Sequence, residues 1–191
     1  MSIAEKLVNI SEKIQRVFEL KDNKPYLDTS KIIDFRYFNQ EGKRDFIFPF
    51  LDTSNGTNFF YFCKDAKNLV TVDLDFSKAT QCTEAFRNCS ALETVVYLDL
   101  SSIPQGSGNL SAIFSSCSAL KNITMKPNCL KANISFAACS LLTDESIQSI
   151  IDGLASNVGA RKISLHADVY AKLTEEQFTI IASKGWEVVS V

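Results

Sequence analysis

Leu27-Asp28-Thr29-Ser30, Leu51-Asp52-Thr53-Ser54, Leu74-Asp75-Phe76-Ser77 and Leu98-Asp99-Leu100-Ser101 are four copies of one tetrapeptide, Leu-Asp-x-Ser, in a chain of 191 residues. Their leucines fall 24, 23 and 24 residues apart. Recurrence at that interval marks a repeat architecture, in which each unit hides its apolar face only by stacking on its neighbours.

A second pattern, Phe-x-x-Cys-x-x-Leu, runs between the tetrapeptides as Phe86, Cys89, Leu92, then Phe114, Cys117, Leu120, then Phe136, Cys139, Leu142. Its leucines are 28 and 22 residues apart, and the longer interval holds Pro104, Gly106 and Gly108, the chemistry of an inserted loop. Alignment of the units gives columns of like residues: Phe38, Phe62, Ala85 and Ile113, or Cys63, Phe86, Phe114 and Phe136. Coils stacked about 5 Å apart bury each such side chain between neighbours, at roughly 1.5 to 3 kcal/mol apiece.

Within a unit, Val70, Val72 and Leu74, or Val95, Val96, Leu98 and Leu100, favour a strand that leads into the Asp-x-Ser turn. Thr83 to Cys89 and Ser111 to Cys117 lack Gly and Pro and space their apolar residues by three and four, which predicts a short helix or helical turn.

The segments FRNCSAL (86–92) and IFSSCSAL (113–120), with the LDTS and LDFS turns, resemble the BspA-like leucine-rich repeats of bacterial surface proteins and phage tail proteins. The likeness covers roughly residues 25 to 142. It implies stacked strand-helix coils used for binding and adhesion, with no catalytic motif. The first unit departs from it, with Asn39 and Gly42 at the Phe and Cys positions, and the second has Cys63 and Ala66 there.

Residues 2 to 20 read as a helix opened by a Ser2–Glu5 capping box, with Ile3, Leu7, Ile10, Ile14 and Val17 as an a/d seam. That stripe either lies on the open end of the first coil or serves self-association and anchoring. The segment is similar to the starts of tail and baseplate proteins in phages of Gram-positive bacteria, as IIASKGW (180–186) is to their ends. After Leu142 the period stops. Thr143 opens a helix carrying Ile147, Ile150, Ile151 and Leu154, Lys162 to Val169 alternates as a strand, Thr174 and Gln177 form a second capping box, and Trp186 to Val191 is strand-like. The expected fold is therefore an α/β solenoid of parallel strands: an N-terminal helix (1–22), repeats of about 23 to 24 residues (23–142) and a helix-strand-helix-strand cap (143–191).

A net charge of -2 leaves no electrostatic footprint for nucleic acid, and no apolar run reaches the roughly 18 residues that cross a bilayer. The N-terminus, with Glu5, Lys6, Glu12 and Lys13 among aliphatics, does not read as a secretory signal. The six cysteines form no CxxC pair and read as reduced core thiols. His166 is the sole histidine, and GxGxxG, P-loop and HExxH motifs are absent, so neither enzyme chemistry nor a cofactor is expected.

Asp28, Asp52, Asp75 and Asp99 hold one repeat position. Neighbouring carboxylates about 5 Å apart repel by roughly 0.8 kcal/mol in water. Either each accepts backbone N–H bonds in its own turn, or the column holds a hard cation such as calcium; Lys126 ends the column in the next unit. Thr71, Asp73, Asp75 and Tyr97 are the expected partner contacts. Together with the resemblance, these features point to a non-enzymatic phage or prophage tail or baseplate component located in the virion. Its partners are virion subunits or a host-surface protein or glycan, in a homo-oligomer or larger assembly. The alternative is a bacterial interaction module or adhesin outside any virion.

Overall fold

The computed structural model describes residues 18–21, 24–27, 31–38 and 51–191. Two strands, β1 (Phe18–Lys21) and β2 (Lys24–Leu27), pair antiparallel with Lys21 opposite Lys24. Phe18, Glu19 and Leu20 are thus strand where the helical pattern had been carried to residue 20. The reason lies in the local sequence: Phe18 and Leu20 alternate with Glu19 and Lys21, a two-residue period that suits a strand. Pro25 costs no interior ladder bond in so small a sheet. The Ser2–Glu5 box and the seam Ile3, Leu7, Ile10, Ile14 and Val17 lie outside the described residues.

Two ladders of successive units run through the molecule. On one, β3 (Thr71–Val72), β4 (Thr94–Leu98) and β5 (Asn122–Met125) pair in parallel, with Val72, Val95 and Ile123 in one row. All three point into the core. On the other, isolated parallel bridges join Asp34 to Asn58 and Asn58 to Gln81. From there the chain forms a ribbon of overlapping turns, the second of the two forms, short helix or helical turn, that its spacing allowed. Cys89 N–H donates to Phe86 O at 3.1 Å and Leu92 N–H to Cys89 O at 3.0 Å, while the alternate residues donate across to the next unit, as Phe86 does to Ile113 O at 3.0 Å. A chain that sends every second N–H to its neighbour cannot close i to i−4 bonds, so the three-residue spacing makes turns and no α-helix. Tyr37, Tyr61, Glu84 and Ala112 take left-handed φ values of 57°, 56°, 52° and 53° at equivalent points of successive ribbons.

After β5 the ladders exchange element types. α1 (Asp144–Gly153), N-capped by Thr143, lies beside β5 in place of a further strand. Its serines replace a strand's carbonyls: Ser146 Oγ accepts from Ile123 N–H at 3.0 Å and Ser149 Oγ from Met125 N–H at 2.8 Å. A Cβ on Gly153 would sit 3.2 Å from Met125 Cβ, so this residue suits the close approach of helix to strand. On the opposite side the turn ribbons give way to β6 (Ile134–Phe136), β7 (Arg161–Leu165) and β8 (Trp186–Ser190), a parallel sheet. Phe86, Phe114 and Phe136 stack through this change at centroid separations of 5.9 and 5.5 Å. The hydrophobic core is continuous from Phe35 to Trp186, so residue 142 is no break in it.

The two Leu-Thr steps open helices. Thr174 caps α3 (Glu175–Ser183) in a reciprocal box with Gln177, and His166 caps the single turn α2 (Ala167–Tyr170), which ends the strand earlier than the alternation to Val169 suggested. Lys184 Nζ then donates to Ile151 O and Leu154 O, each at 2.9 Å, satisfying carbonyls at the α1 C-terminus that a helix leaves orphaned.

Candidate partner-binding face

The outer side of β3, β4 and β5 carries the row Thr71, Thr94 and Asn122, with Asn122 Nδ2 donating to Thr94 Oγ1 at 3.4 Å. Val95 pairs with Ile123 but Leu98 pairs with Met125, so three steps in β4 oppose two in β5. This bulge turns both Val96 and Tyr97 outward, 42% and 47% exposed, and Val70, just before β3, is 50% exposed. Bulges commonly re-aim a side chain in this way. The extra residue also accounts for Leu74 and Leu98 being 24 apart while their strands pair at 23.

Of the expected contact residues, Thr71, Asp73, Asp75 and Tyr97 are all exposed. Thr71 lies in β3, with Asp73 and Asp75 following it, and Tyr97 is in the bulge of β4. Val70 and Val96, absent from that set, supply the apolar part of the face.

The aspartate column has a specific use. Asp52, Asp75 and Asp99 each accept through Oδ1 from the backbone N–H two residues on, Ser54, Ser77 and Ser101, at 2.9, 2.7 and 2.9 Å. Asp99 also receives Lys126 Nζ at 2.8 Å. Burial pushes the Asp99 carboxyl up, but the Lys126 ammonium and the Ser101 donors outweigh it and hold the carboxyl below the ordinary range. Among the described residues no group of three or more His, Cys, Asp or Glu side chains is placed to hold a metal ion; Asp28 lies outside them.

A cluster on the turn-ribbon side escaped the sequence reading. Phe60 and Tyr61 stack at 4.0 Å, Tyr37 meets Tyr61 edge-on at 5.4 Å, and Lys64 Nζ lies 3.9 Å above the Tyr61 ring. The available signal was the run of four aromatics, 59–62, of which only Phe59 and Phe62 are needed by the core.

His166 Nδ1 accepts from Asp168 N–H at 3.2 Å as a helix cap. All six cysteines are buried, and burial pushes the Cys117 thiol up to about 12. Cys89 and Cys117 each donate through Sγ to a main-chain carbonyl, Cys63 O and Phe86 O, at 3.0 Å. Asn109 and Asn133 stitch neighbouring units, through Thr80 O at 2.7 Å and Lys162 N–H at 2.9 Å.

No protein-family model, curated protein or solved structure matches the chain. Among the described residues no helix is long and apolar enough to cross a membrane.

Proposed function

We propose that this chain is a non-enzymatic binding module, an α/β solenoid of leucine-rich-repeat type, that meets a protein partner through the outer side of β3 to β5. The observation that carries the reading is the bulge at Val96 and Tyr97. It exposes two consecutive large side chains on the sheet face that also carries Thr71, Thr94, Asp73 and Asn122. An apolar centre with a polar rim, and a tyrosine at its middle, is the usual make-up of a protein interface.

The placement of this module in a phage tail or baseplate rests on the likeness of its repeat segments and both chain ends to such proteins. Particles purified after prophage induction of the source bacterium test it. Detection of the chain in the particles, with reduced incorporation of Tyr97→Ala and Val96→Asp, supports the reading. A chain absent from particles but bound to cells through the same two residues would instead make it an adhesin or interaction module. Unchanged incorporation of both variants would remove the face from the account.

A further inference from the structure

Three ribbons of this fold obey one hydrogen-bonding rule, and the fourth breaks it. In the second ribbon, Phe59, Tyr61, Cys63 and Asp65 donate N–H bonds to main-chain carbonyls of the third, at 2.7, 3.1, 2.7 and 2.8 Å. In the third, Cys82, Glu84, Phe86 and Asn88 donate likewise to Asn109, Ser111, Ile113 and Ser115, at 2.8, 2.9, 3.0 and 2.8 Å. The equivalent donors of the fourth are Leu110, Ala112, Phe114 and Ser116. The register that stacks Phe114 on Phe136 would send Ala112 N–H to Asn133 O and Phe114 N–H to Ser135 O. Neither bond is made, and the carbonyl that would serve Leu110, Lys131 O, already accepts from Gly106 N–H and Arg161 Nε.

The cause is a mismatch of backbone repeats. The fourth ribbon keeps left-handed residues, Ala112 at φ 53° and Ser116 at φ 61°, whereas β6 is extended and pairs in parallel with β7. The rings of Phe114 and Phe136 still meet in the core, so the two main chains splay toward the surface. A cleft of about 450 Å³ opens there, with Ser107, Ser111 and Ala112 on one wall and Asn133, Ser135 and Ser164 on the other. It is followed by a second opening of about 240 Å³ beside Phe114 and Ser115. Lys162, ion-paired with Glu187 at 3.0 Å, stands at its mouth.

We propose that this seam binds a peptide segment of a partner protein that takes up the same turn-ribbon conformation, whose carbonyls accept from the unmatched N–H groups of Ala112 and Phe114. Elsewhere in the molecule the same row of donors, spaced two residues apart, is met by a main chain. A segment folded as a ribbon repeats its carbonyls at the interval of the donors, as the third ribbon does for the second and the fourth for the third. This is main-chain augmentation at a ribbon edge, with specificity left to the side chains. The walls near the donors are Ser, Ala and Gly, so the segment that fits carries small polar side chains. The seam lies among residues 107–164 and shares no residue with the Tyr97 face, so the two sites stand or fall separately.

The test is amide hydrogen exchange and ¹⁵N chemical-shift mapping on the full chain, with a library of heptapeptides rich in Gly, Ser, Thr and Asn as the probe. In the free protein, Ala112 and Phe114 amides are expected to exchange at least about tenfold faster than those of Glu84 and Phe86, their bonded equivalents one unit earlier. A binding peptide slows them and shifts their resonances, and replacement of its accepting amides by esters weakens it. Gly108→Trp fills the cleft, since a Cβ at Gly108 meets nothing within 4 Å, and abolishes binding. The proposal is overturned if Ala112 and Phe114 are as protected as Glu84 and Phe86 in the free protein. It is equally overturned if no peptide perturbs them, or if soluble oligosaccharides do so in the peptides' place.

Discussion

Ser146 stands where a strand residue would stand: its Oγ accepts from Ile123 N–H at 3.0 Å and donates to Lys121 O at 2.9 Å. One hydroxyl thereby performs both halves of a parallel ladder rung, and a helix closes the β3–β5 sheet without leaving its edge unpaired. Exposed edges invite pairing with other chains, so the arrangement has value beyond its bond energies.

Ser146→Ala leaves the buried Ile123 N–H without its partner, while Lys121 O keeps Thr143 N–H at 3.1 Å. A loss of about 2 kcal/mol follows, which for a chain of this size lowers Tm by about 4 to 8 °C. Thermal unfolding of the variant measures it. A change below about 0.5 kcal/mol would show that solvent replaces the hydroxyl at no cost.

Thr53 gives the opposite sign. It is buried, its Oγ1 has no hydrogen-bond partner among the described residues, and Phe76 and Leu100 occupy its place in the next two Leu-Asp-x-Ser motifs. Thr53→Val keeps the shape, removes an unpaired hydroxyl from an apolar layer, and should stabilise by about 1 kcal/mol, or about 2 to 4 °C in Tm. Equilibrium denaturation that shows Thr53→Val destabilised would mean the hydroxyl is satisfied after all.

The first two relationships differ in how far the sequence discloses them. The strand rows are legible because β-branched residues before the Asp-x-Ser turns recur at a fixed interval, which the pair Val72 with Val95 follows; Val95 and Ile123, 28 apart, are separated by the inserted loop as well. The caps at Thr143 and Thr174 are legible because the cap and its N3 partner are local in sequence. The choice between short helix and helical turn was not legible, because spacings of three and four do not reveal where alternate N–H groups go; that depends on the next unit. The bulge was hidden in a single residue of difference between the motif interval and the strand interval. Exposure of Thr71, Asp73, Asp75 and Tyr97 follows from strand alternation, whereas Val96 required the bulge. The seam beside Ala112 was not legible at all, since it arises from two backbone repeats meeting.

Asp99 and Lys126 set an acid-side dependence. Burial alone would raise the Asp99 pKa, but Lys126 and Ser101 outweigh it and leave it lowered in the folded protein. A carboxyl with a lower pKa folded than unfolded adds stability above its unfolded value, near pH 4, and loses that contribution as pH falls through the folded value. In Lys126→Met the carboxyl keeps its burial but loses its cation, so its pKa moves upward and the acid unfolding limb shifts to higher pH. Carbon-detected titration of Asp99 in both proteins checks this; equal titration curves would show the ion pair to be a surface contact of no consequence.

The cysteines should respond only to unfolding. Burial raises the thiols, Cys117 to about 12, and all six are enclosed. Since the thiolate is the reactive form, Ellman's reagent at pH 8 should label none of them quickly in the folded chain and all six after denaturant is added. Prompt labelling of Cys89 or Cys117 in native buffer would contradict the enclosed column.

The most direct test of the account is the pattern of interstrand nuclear Overhauser effects in the labelled protein. Parallel neighbouring units predict contacts that join Val72 to Val95 and Val95 to Ile123, with Ile123 amide protected by the Ser146 hydroxyl rather than by another strand. Contacts that run in the reverse order along these segments, as in antiparallel hairpins, or their absence between Val72 and Val95, would contradict it.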